Sequence, residues 1–313
     1  MSVIISPMEK DQYTVIGATS GPGLGIFVSL ALAGHTVAGI ARRSGPLEAL
    51  SEALRQKGLT NARLLSVDLS QKAALPHALL EELSHTTHLI GASRAPFVAL
   101  LMNFMPALKK VLALGSTRIY TQYPDARMHE MQAMVNKLSG QSVPWTVLHP
   151  TMIYGGTGYN NVERVKSLLR ILPVIPLPHS GRALIQPVHN DDVVAAAMKV
   201  LDDNSFDGRA VVLAGPRAIT YADFIETIAR NMGKRARILN FPLGILRSLA
   251  TVSRFIPFVP AIHPMEVQRL AEDKAFDITE MRQLLGREPM DTEEGLSCFY
   301  PLAGVIDRFK NRV

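Results

Sequence analysis

The chain has 313 residues, 47% of them hydrophobic, and a formal net charge of +6. This length and composition predict a globular protein of one or two domains with a large core. The basic residues are dispersed and accompany no nucleic-acid motif. A solvated surface that attracts an anionic cofactor therefore explains the charge better than a nucleic-acid partner does.

The cysteine count and the hydropathy narrow the class of protein further. Cys298 is the single cysteine, which excludes an internal disulfide framework and indicates a reducing compartment, so we expect a cytoplasmic protein. No uncharged apolar stretch reaches the ~18 residues of a membrane span. Residues 1–12 lack the basic start and long apolar run of a signal peptide, and we expect them to form a short tail.

The first motif with chemical content lies at residues 14–25, where an apolar run leads into glycines and then into a helical pattern. Glycines permit positive φ and close approach of the backbone to a ligand, and the following helix start offers unpaired N–H groups to a pyrophosphate. A second apolar strand at residues 36–40 completes the context of a Rossmann dinucleotide site. The cofactor-binding residues predicted at this turn are Gly17, Thr19, Ser20, Gly21, Gly23 and Leu24.

The end of the second strand indicates which dinucleotide binds. An acidic residue about 20 positions beyond the glycines would hydrogen-bond the ribose 2′-OH of NAD. Arg42 and Arg43 stand there instead, and a guanidinium matches a 2′-phosphate in charge and geometry. The sequence therefore favours NADP, with NAD as the second choice, unless the two arginines only solvate the strand end.

The rest of the first half alternates between strands and helices. Further strand patterns occur at residues 63–67, 88–91, 110–114 and 145–148. A buried helix is predicted at residues 97–108. This alternation predicts an α/β fold with a doubly wound, parallel Rossmann sheet and a ligand crevice at the carboxyl ends of its strands. Gly91 and Ala92 follow the fourth strand, and their small size would let a cofactor pass close by.

Several segments together resemble the short-chain dehydrogenase/reductase superfamily, in particular its atypical and extended members of the NAD-dependent epimerase/dehydratase type. The matching segments lie at residues 17–19, 67–69, 114–117, 144–155 and 186–193. The resemblance covers nearly the whole chain. The GxxGxxG of the extended members falls on Gly17, Ser20 and Gly23, whereas Gly17, Gly21 and Gly23 fit the GxxxGxG spacing of the shorter subgroup.

The resemblance implies further cofactor contacts. Asp68, with Leu69 beside it, occupies the place of an aspartate that contacts the adenine, and turn capping is the alternative role for this carboxylate. Pro150 and Met152 belong to a segment whose backbone flanks the nicotinamide amide in family members.

The resemblance also implies where catalytic groups lie. Ser116 and Thr117 end the fifth strand, where family members place the hydroxyl that binds the substrate oxygen; a local turn is the alternative. His149 stands where an arginine often precedes the proline. It is a candidate proton donor or phosphate partner, although a histidine at a strand end is more often packed and hydrogen-bonded.

The Tyr-x-x-x-Lys pair of active members is missing. In that pair the lysine lowers the pKa of the tyrosine that transfers the proton. Tyr123 and Arg127 are the nearest substitute, because a permanent cation also depresses the pKa of a phenol. Pro124 and Asp125 read as a helix start that would leave Tyr123 just outside the helix, so ordinary surface or packing residues are the alternative.

Residues 155–183 interrupt the alternation with a helix at 161–172 and a proline-rich stretch, an excursion of the kind that builds substrate pockets. Residues 184–188 are predicted to return to the sheet. The next helix, at 190–201, has three candidate capping residues, Asn190, Asp191 and Asp192. His189 and Asp192 match the family pattern, but capping and domain anchoring explain them without catalysis.

From residue 204 the pattern changes to a smaller α/β unit, with strands at 210–213 and 236–239 and a helix at 221–231 capped by Thr220. The predicted organisation is a tail at 1–12, a Rossmann domain at 13–203 and a smaller substrate domain with closing helices at 204–313.

Residues 242–264 form an apolar stretch that includes Arg247 and Arg254. This stretch could lie on a membrane surface or admit a lipid-like substrate. The alternative is that it forms core helices of the second domain. Core helices are favoured because prolines break a long amphipathic face.

These features predict an NADP-dependent oxidoreductase or epimerase that exchanges hydride with a carbonyl or alcohol, with a nucleotide sugar as a substrate suggested by resemblance alone. The alternative is a catalytically silent NADP-binding sensor or assembly protein, which the missing Tyr-x-x-x-Lys pair favours. No metal-ligand motif is present in the sequence. A homodimer is one alternative for the oligomeric state, which the sequence leaves open.

Overall fold

The computed structural model describes residues 11–71, 74–156, 160–172, 174–253, 264–297 and 305–310. Most of the expected N-terminal tail, Cys298 and the part of the apolar stretch at 254–263 lie outside these ranges. None of the described helices combines the length and the hydropathy needed to cross a bilayer.

The centre of the chain is a parallel sheet whose strands alternate with helices. The strands are β1 (Gln12–Ile16), β2 (Thr36–Ala41), β3 (Ala62–Ser66), β4 (His88–Gly91), β5 (Lys110–Leu114), β6 (Trp145–Pro150), β7 (Ile153–Tyr154), β8 (Ile175–Leu177), β9 (Leu184–Ile185), β10 (Val188–His189), β11 (Arg209–Leu213), β12 (Ile219–Thr220) and β13 (Ile238–Asn240). Among the described residues this sheet has seven strands, in the order β3-β2-β1-β4-β5-β6-β11. The order confirms the doubly wound Rossmann fold.

Helices cover both faces of the sheet. They are α1 (Gly21–Leu32), α2 (Ser44–Gln56), α3 (His77–His85), α4 (Ala95–Leu101), α5 (Ala126–Ser139), α6 (Asn160–Ile171), α7 (Asn190–Asp202), α8 (Tyr221–Asn231), α9 (Leu243–Ser253), α10 (Pro264–Arg269), α11 (Thr279–Leu285), α12 (Thr292–Ser297) and α13 (Val305–Lys310). The core on one face packs α1, α2, α7, α11 and α13 against the sheet, and the core on the other packs α3, α4 and α5. Strands β4 and β5 are buried throughout, as expected for parallel strands covered on both faces.

The helix predicted at 97–108 is shorter than expected. Helix α4 ends at Leu101 and a single 3₁₀ turn, Met102–Phe104, follows it. Met105 then leaves the helical region with φ −117° and ψ 78°. Pro106 explains this end, because a proline disfavours the α conformation of the residue before it.

Residues 184–188 do not return to the central sheet, contrary to expectation. Strand β9 pairs antiparallel with β12, and β10 pairs parallel with β7, each in a separate two-stranded ladder. Pro187 lies between β9 and β10, and its missing N–H makes a continuous strand there unfavourable.

The cap of α7 also differs from the prediction. His189 is the N-cap residue, and its Nδ1 accepts a hydrogen bond from the backbone N–H of Asp191 at 3.2 Å. The three predicted caps, Asn190, Asp191 and Asp192, are buried residues of the first helical turn instead.

Strand β11 belongs to the central sheet. It was expected within the smaller unit that begins at residue 204, but it pairs in parallel with β6 along its whole length and forms the sheet edge. Helices α8 and α12 pack with α6 and β8 into a separate apolar cluster that includes Phe224 and Ile228, whereas α11 and α13 pack against the central sheet. The division of the chain into two domains otherwise remains a prediction.

Two buried carboxylates fasten C-terminal segments to the start of α7. Asp191 accepts hydrogen bonds from the guanidinium of Arg308, at 2.7 Å from Nε. Asp192 accepts from Arg287 Nη2 at 2.6 Å and from the backbone N–H of Met290 at 2.7 Å. Because Asp192 is fully buried, these bonds replace all of its hydration and anchor the loop after α11.

We predict that Asp192→Ala lowers the free energy of unfolding by about 2 kcal/mol or more, because it leaves the half-buried Met290 N–H and the Arg287 guanidinium without their acceptor. Urea unfolding at neutral pH measures the loss. The matched control is Glu52→Ala, which breaks the exposed Arg55–Glu52 pair and should cost much less, because water solvates both charges when the pair is broken. Equal losses in the two variants would contradict the anchoring role of Asp192.

Candidate functional site

The glycine turn between β1 and α1 has a backbone conformation that leaves no room for side chains at its glycine positions. Gly17 has φ +88° and Gly21 has φ +54°, both in the region that favours glycine. A Cβ on Gly17 would lie 2.8 Å from the carbonyl oxygen of Ala92, and a Cβ on Gly23 would overlap the carbonyl oxygen of Gly17. The GxxxGxG spacing is therefore the one that this turn requires.

The turn leads directly into the N-terminus of α1. Ser20 is the N-cap residue with an extended backbone, and its side chain makes no capping hydrogen bond. The first-turn N–H groups thus remain available to an anion at the carboxyl edge of the sheet. Thr19 is half-buried beside them, whereas the Leu24 side chain is 1% exposed and packs in the core, so only its backbone lies at the turn.

Arg42 and Arg43 follow β2 at the same edge. Both side chains are exposed, and neither forms an ion pair with another described residue. Asp68 lies close enough that Arg42 helps to lower the pKa of its carboxyl, although hydrogen bonds from Ser70 are the larger cause. Asp68 Oδ1 accepts from the Ser70 N–H at 3.0 Å and from its hydroxyl at 2.6 Å, which is the turn-capping arrangement.

Packing accounts for two of the predicted cofactor residues. Leu69 is buried in the cluster formed with α3, α4 and α5. Packing requires a glycine at position 91, because any Cβ on Gly91 would overlap the side chain of Val98 in α4. Ala92 does face the turn, since its N–H donates to Ile16 O at 2.9 Å and its carbonyl lies against Gly17.

Ser116 and Thr117 lie at the carboxyl end of β5, as expected. Ser116 Oγ accepts a hydrogen bond from the Arg118 N–H at 3.2 Å and caps the 3₁₀ turn Thr117–Tyr120. Because that bond uses only a lone pair, the hydroxyl proton of Ser116 remains available to a ligand. Thr117 is 8% exposed, and its hydroxyl points to Pro150 O at 3.5 Å.

The segment 150–152 is tied to two neighbouring strands. Thr151 N–H donates to Leu213 O of β11 at 2.8 Å, and Met152 O accepts from the Val188 N–H of β10 at 3.0 Å. With Pro150 at the end of β6, the backbone that the resemblance places beside the nicotinamide is held in one conformation.

His149 lies beneath the same edge and is 1% exposed. Burial lowers the pKa of its imidazole to about 4, and a hydrogen bond with the Ser116 backbone opposes this shift only in part. Its Nδ1 has no hydrogen-bond partner and lies against Gly115, where any Cβ would overlap the ring. His149 is therefore a neutral imidazole at physiological pH, which argues against a permanent charge for phosphate binding.

Tyr123 and Arg127 are not joined by a hydrogen bond in the described structure. Asp125 caps α5 by accepting from the Met128 N–H at 3.0 Å, so Tyr123 lies before the helix, as the sequence indicated. The Tyr123 N–H donates to Thr121 Oγ1 at 3.2 Å. The structure thus gives no contact through which Arg127 would act on this phenol.

Tyr120 is a candidate that the sequence analysis missed. Its side chain is 53% exposed, and its ring lies 5.9 Å from the His149 ring and 6.0 Å from that of Phe276. Burial, with a smaller effect of Glu280, raises the pKa of its phenol, so the hydroxyl stays protonated at neutral pH and can donate a proton or a hydrogen bond. The Tyr-x-x-x-Lys spacing does not mark Tyr120, because a proline and not a cation lies four residues after it.

A second missed feature is a polar junction between the segment after β5 and residues 269–274. Glu272 accepts from the Thr121 hydroxyl at 3.0 Å and from the Gln122 N–H at 2.6 Å. Asp125 Oδ2 accepts from Arg269 Nη1 at 3.0 Å. These partners are separated by 144 to 151 positions, so no local spacing could reveal them.

Lys274 supplies a cation to this junction. Its Nζ donates to Arg269 O at 2.9 Å and lies 4.0 Å from a Glu272 oxygen. Burial lowers the pKa of this amine, Glu272 opposes the shift, and the charges of Arg269 and Arg118 add to it. Within the described residues, a half-buried lysine from a distant part of the sequence therefore lies near the segment where the lysine of the Tyr-x-x-x-Lys pair is missing.

Comparison with solved structures shows what kind of fold this is. An NADPH-dependent quinone oxidoreductase from Escherichia coli, complexed with NADPH, is 19% identical with a TM-score of 0.67 over 91% of this chain and 98% of that one. A nucleoside-diphosphate-sugar epimerase from Staphylococcus aureus is 14% identical with a TM-score of 0.67 over 92% of this chain and 100% of that one. The chain has the Rossmann-like α/β fold of these two enzymes. The resemblance found in the sequence is confirmed at that level, because identities this low show the fold alone.

Curated proteins give partial sequence matches to the chain. The mitochondrial 40 kDa subunit of NADH-ubiquinone oxidoreductase from Neurospora crassa is 33% identical over 148 residues, 47% of this chain and 38% of that protein. The chloroplast stem-loop binding protein of 41 kDa b from Arabidopsis thaliana is 21% identical over 249 residues, 74% of this chain and 66% of that protein. Each match thus spans less than two thirds of the relative. No protein-family profile matches the chain.

We predict that the low pKa of His149 makes the fold acid-sensitive. The folded pKa of about 4 lies below the unfolded value of 6.5, so the unfolded chain binds the proton first and stability falls as the pH drops through this window. The full effect is roughly 3 kcal/mol. Urea unfolding between pH 7 and 4.5 should show a smaller loss for His149→Asn than for the wild type. Parallel curves would contradict a neutral, buried imidazole.

Proposed function

We propose that the protein binds NADP(H) and serves as an oxidoreductase or epimerase that exchanges hydride with a carbonyl or alcohol. The observation that carries the proposal is the turn of Gly17, Gly21 and Gly23, which closes only without side chains and exposes the uncapped start of α1. A pyrophosphate fits that arrangement because it is small, anionic and bound by backbone N–H groups.

The preference for NADP is supported by Arg42 and Arg43. They follow β2, where the ribose of the adenosine is bound in this fold, and no described carboxylate pairs with them. A free guanidinium there is suited to a 2′-phosphate, whereas no acidic side chain stands at the strand end to accept from a 2′-hydroxyl. The solved neighbour from E. coli was crystallised with NADPH, which agrees with this preference.

The residues of the cleft supply binding and proton transfer, and the nicotinamide would supply the hydride. The Ser116 hydroxyl is free to donate a hydrogen bond to a substrate oxygen, because its only described bond is one that it accepts. Tyr120, exposed and protonated, is the proton donor that we favour over Tyr123 and His149, since His149 is buried and neutral. Thr117 would hold the Pro150 backbone in place.

Only the chemical class of the substrate is inferred. The two solved neighbours are named for a quinone and for a nucleoside-diphosphate sugar, both of which present a carbonyl or alcohol. We infer a small-molecule carbonyl or sugar nucleotide of this kind. A cytoplasmic location, a homodimer and the lack of a nucleic-acid partner remain predictions.

A catalytically silent NADP-binding protein is the second candidate. The missing Tyr-x-x-x-Lys pair favours it, because no described contact replaces the lysine beside Tyr123. One curated relative is a subunit of a larger oxidoreductase, and another is named for binding a stem-loop. Both names describe assembly or binding in those proteins.

The cofactor proposal is tested by fluorescence titration of the purified protein with NADPH and NADH. We predict tighter binding of NADPH, and we expect Arg42→Ala with Arg43→Ala to weaken NADPH binding by roughly 10-fold or more while leaving NADH binding unchanged, because only NADPH carries the 2′-phosphate. Gly23→Ala should abolish binding of both, with Gly45→Ala as the matched control, since a Cβ on Gly45 meets open space. Equal losses of NADPH and NADH binding in the arginine variant would contradict the 2′-phosphate contact.

Turnover separates the two candidates. Carbonyl substrates, including quinones and keto sugars, are added to the NADPH complex and oxidation of the nucleotide is followed. We predict that the wild type oxidises NADPH with at least one of these substrates. Tyr120→Phe should lower kcat by about 100-fold and leave NADPH binding unchanged, as expected for loss of a general acid. Ser116→Ala should also lower kcat, whereas Tyr123→Phe should have little effect. Tight NADPH binding without oxidation across the panel would support the silent sensor or assembly protein.

A further inference from the structure

A cationic pocket lies on the C-terminal half of the chain, apart from the residues assigned to the cofactor. It is a cavity of about 400 Å³ between the end of α6 and the loop that joins α8 to β13. Its lining combines aliphatic side chains with four basic residues, Arg170, Lys234, Arg235 and Arg237, and contains no aspartate or glutamate.

The backbone of this pocket is fixed by hydrogen bonds. The Lys234 N–H donates to Ala229 O at 2.9 Å and ends α8, and the Ile175 N–H donates to Arg237 O at 2.7 Å, which ties the loop to β8. Lys234 Nζ reaches across to Leu169 O at 3.2 Å and joins the loop to the end of α6. The cations are therefore presented from a preformed frame, which lowers the entropic cost of binding a ligand.

The side chains of the loop alternate between core and solvent. Ala236 and Ile238 pack against the apolar cluster of this half of the chain. Arg235, Arg237 and Leu239 alternate with them and are all exposed. In extended chain such alternation places the three exposed side chains on one side.

The positive charges of this pocket lack counter-charges. Arg170, Arg235 and Arg237 form no ion pair with any residue in the described ranges. Helix dipoles account for Arg170 in the last turn of α6 and for Lys234, which donates to a terminal carbonyl of that helix. They do not account for Arg235 and Arg237, which lie beyond the end of α8, and an external anion would complement these two charges.

The apolar residues around the cations indicate the source of that anion. Ile171, in the pocket lining, is 48% exposed, and Leu239, on the same side of the loop as Arg237, is 53% exposed. Aliphatic and basic side chains side by side are typical of surfaces that lie on anionic bilayers. No aromatic residue lines the pocket, so it offers no stacking platform for nucleic-acid bases.

We propose that this pocket binds the phosphate of an anionic phospholipid headgroup and seats this face of the protein on a bilayer surface. Arg235 and Arg237 bind the phosphate through their planar guanidinium groups, and Ile171 and Leu239 contact the acyl boundary. The site does not depend on the cofactor proposal, because it shares no residue with the glycine turn or with Arg42 and Arg43.

The test is flotation of the full chain with vesicles of phosphatidylcholine alone or with added phosphatidylglycerol. Binding is expected only with phosphatidylglycerol, and it should weaken as salt is raised. Arg235→Ala with Arg237→Ala should lower the partition coefficient roughly 25-fold, at about fivefold per basic side chain. Arg235→Lys with Arg237→Lys keeps the charge but loses the planar guanidinium groups, so it should bind more tightly than the alanine variant and more weakly than the wild type. Leu239→Ser should weaken binding without changing the net charge.

The matched control is Arg55→Ala with Lys199→Ala, which removes the same charge from two exposed residues outside the pocket and should leave binding unchanged. Equal losses in the two double variants would show nonspecific electrostatics and overturn the proposal. So would failure of the wild type to bind phosphatidylglycerol vesicles, whether or not it binds inorganic phosphate or single-stranded RNA through Arg235 and Arg237. Thermal unfolding of every variant checks the fold.

Discussion

The missing Cβ of Gly23 is the constraint on which the cofactor edge depends. A methyl group there would overlap the carbonyl oxygen of Gly17 and press on Ala92, so the turn after β1 could not pass beneath the start of α1. This single close approach joins β1, β4 and α1 at the centre of the sheet. The position of the phosphate site relative to the ends of β5 and β6 follows from it, because those strands are held in register with β4.

The side chains of His149 and Tyr120, near the ends of β5 and β6, are neutral. His149 lies deep enough that burial holds the pKa of its imidazole near 4, while burial also keeps the Tyr120 phenol protonated. The cations nearby are engaged elsewhere: Arg269 with Asp125, and Lys274 with the carbonyl of Arg269. A cleft arranged in this way favours hydrogen-bond donation to a substrate oxygen over its deprotonation.

The extent to which the sequence predicted this structure varies with the range of the interactions. The glycine turn, the parallel strands and the start of α5 at Asp125 are determined by local chemistry, and all were predicted. Strand β11 and residues 184–188 were misplaced because strand pairing depends on distant partners, β6 for the first and β7 and β12 for the second. Tyr120 and Lys274 were missed for the same reason: His149, Phe276 and Glu272 give them their environment, and no spacing motif connects these residues.

The pair formed by Asp191 and Arg308 couples the closing of one face of the sheet to the burial of a charge. The two residues are 117 positions apart in the sequence. Asp191 is buried at the start of α7 and Arg308 lies on α13, so this guanidinium reaches the carboxylate only when α13 docks. Any partly folded state without α13 in place leaves that bond unmade, and the face of the sheet covered by α1, α7 and α13 closes as it forms.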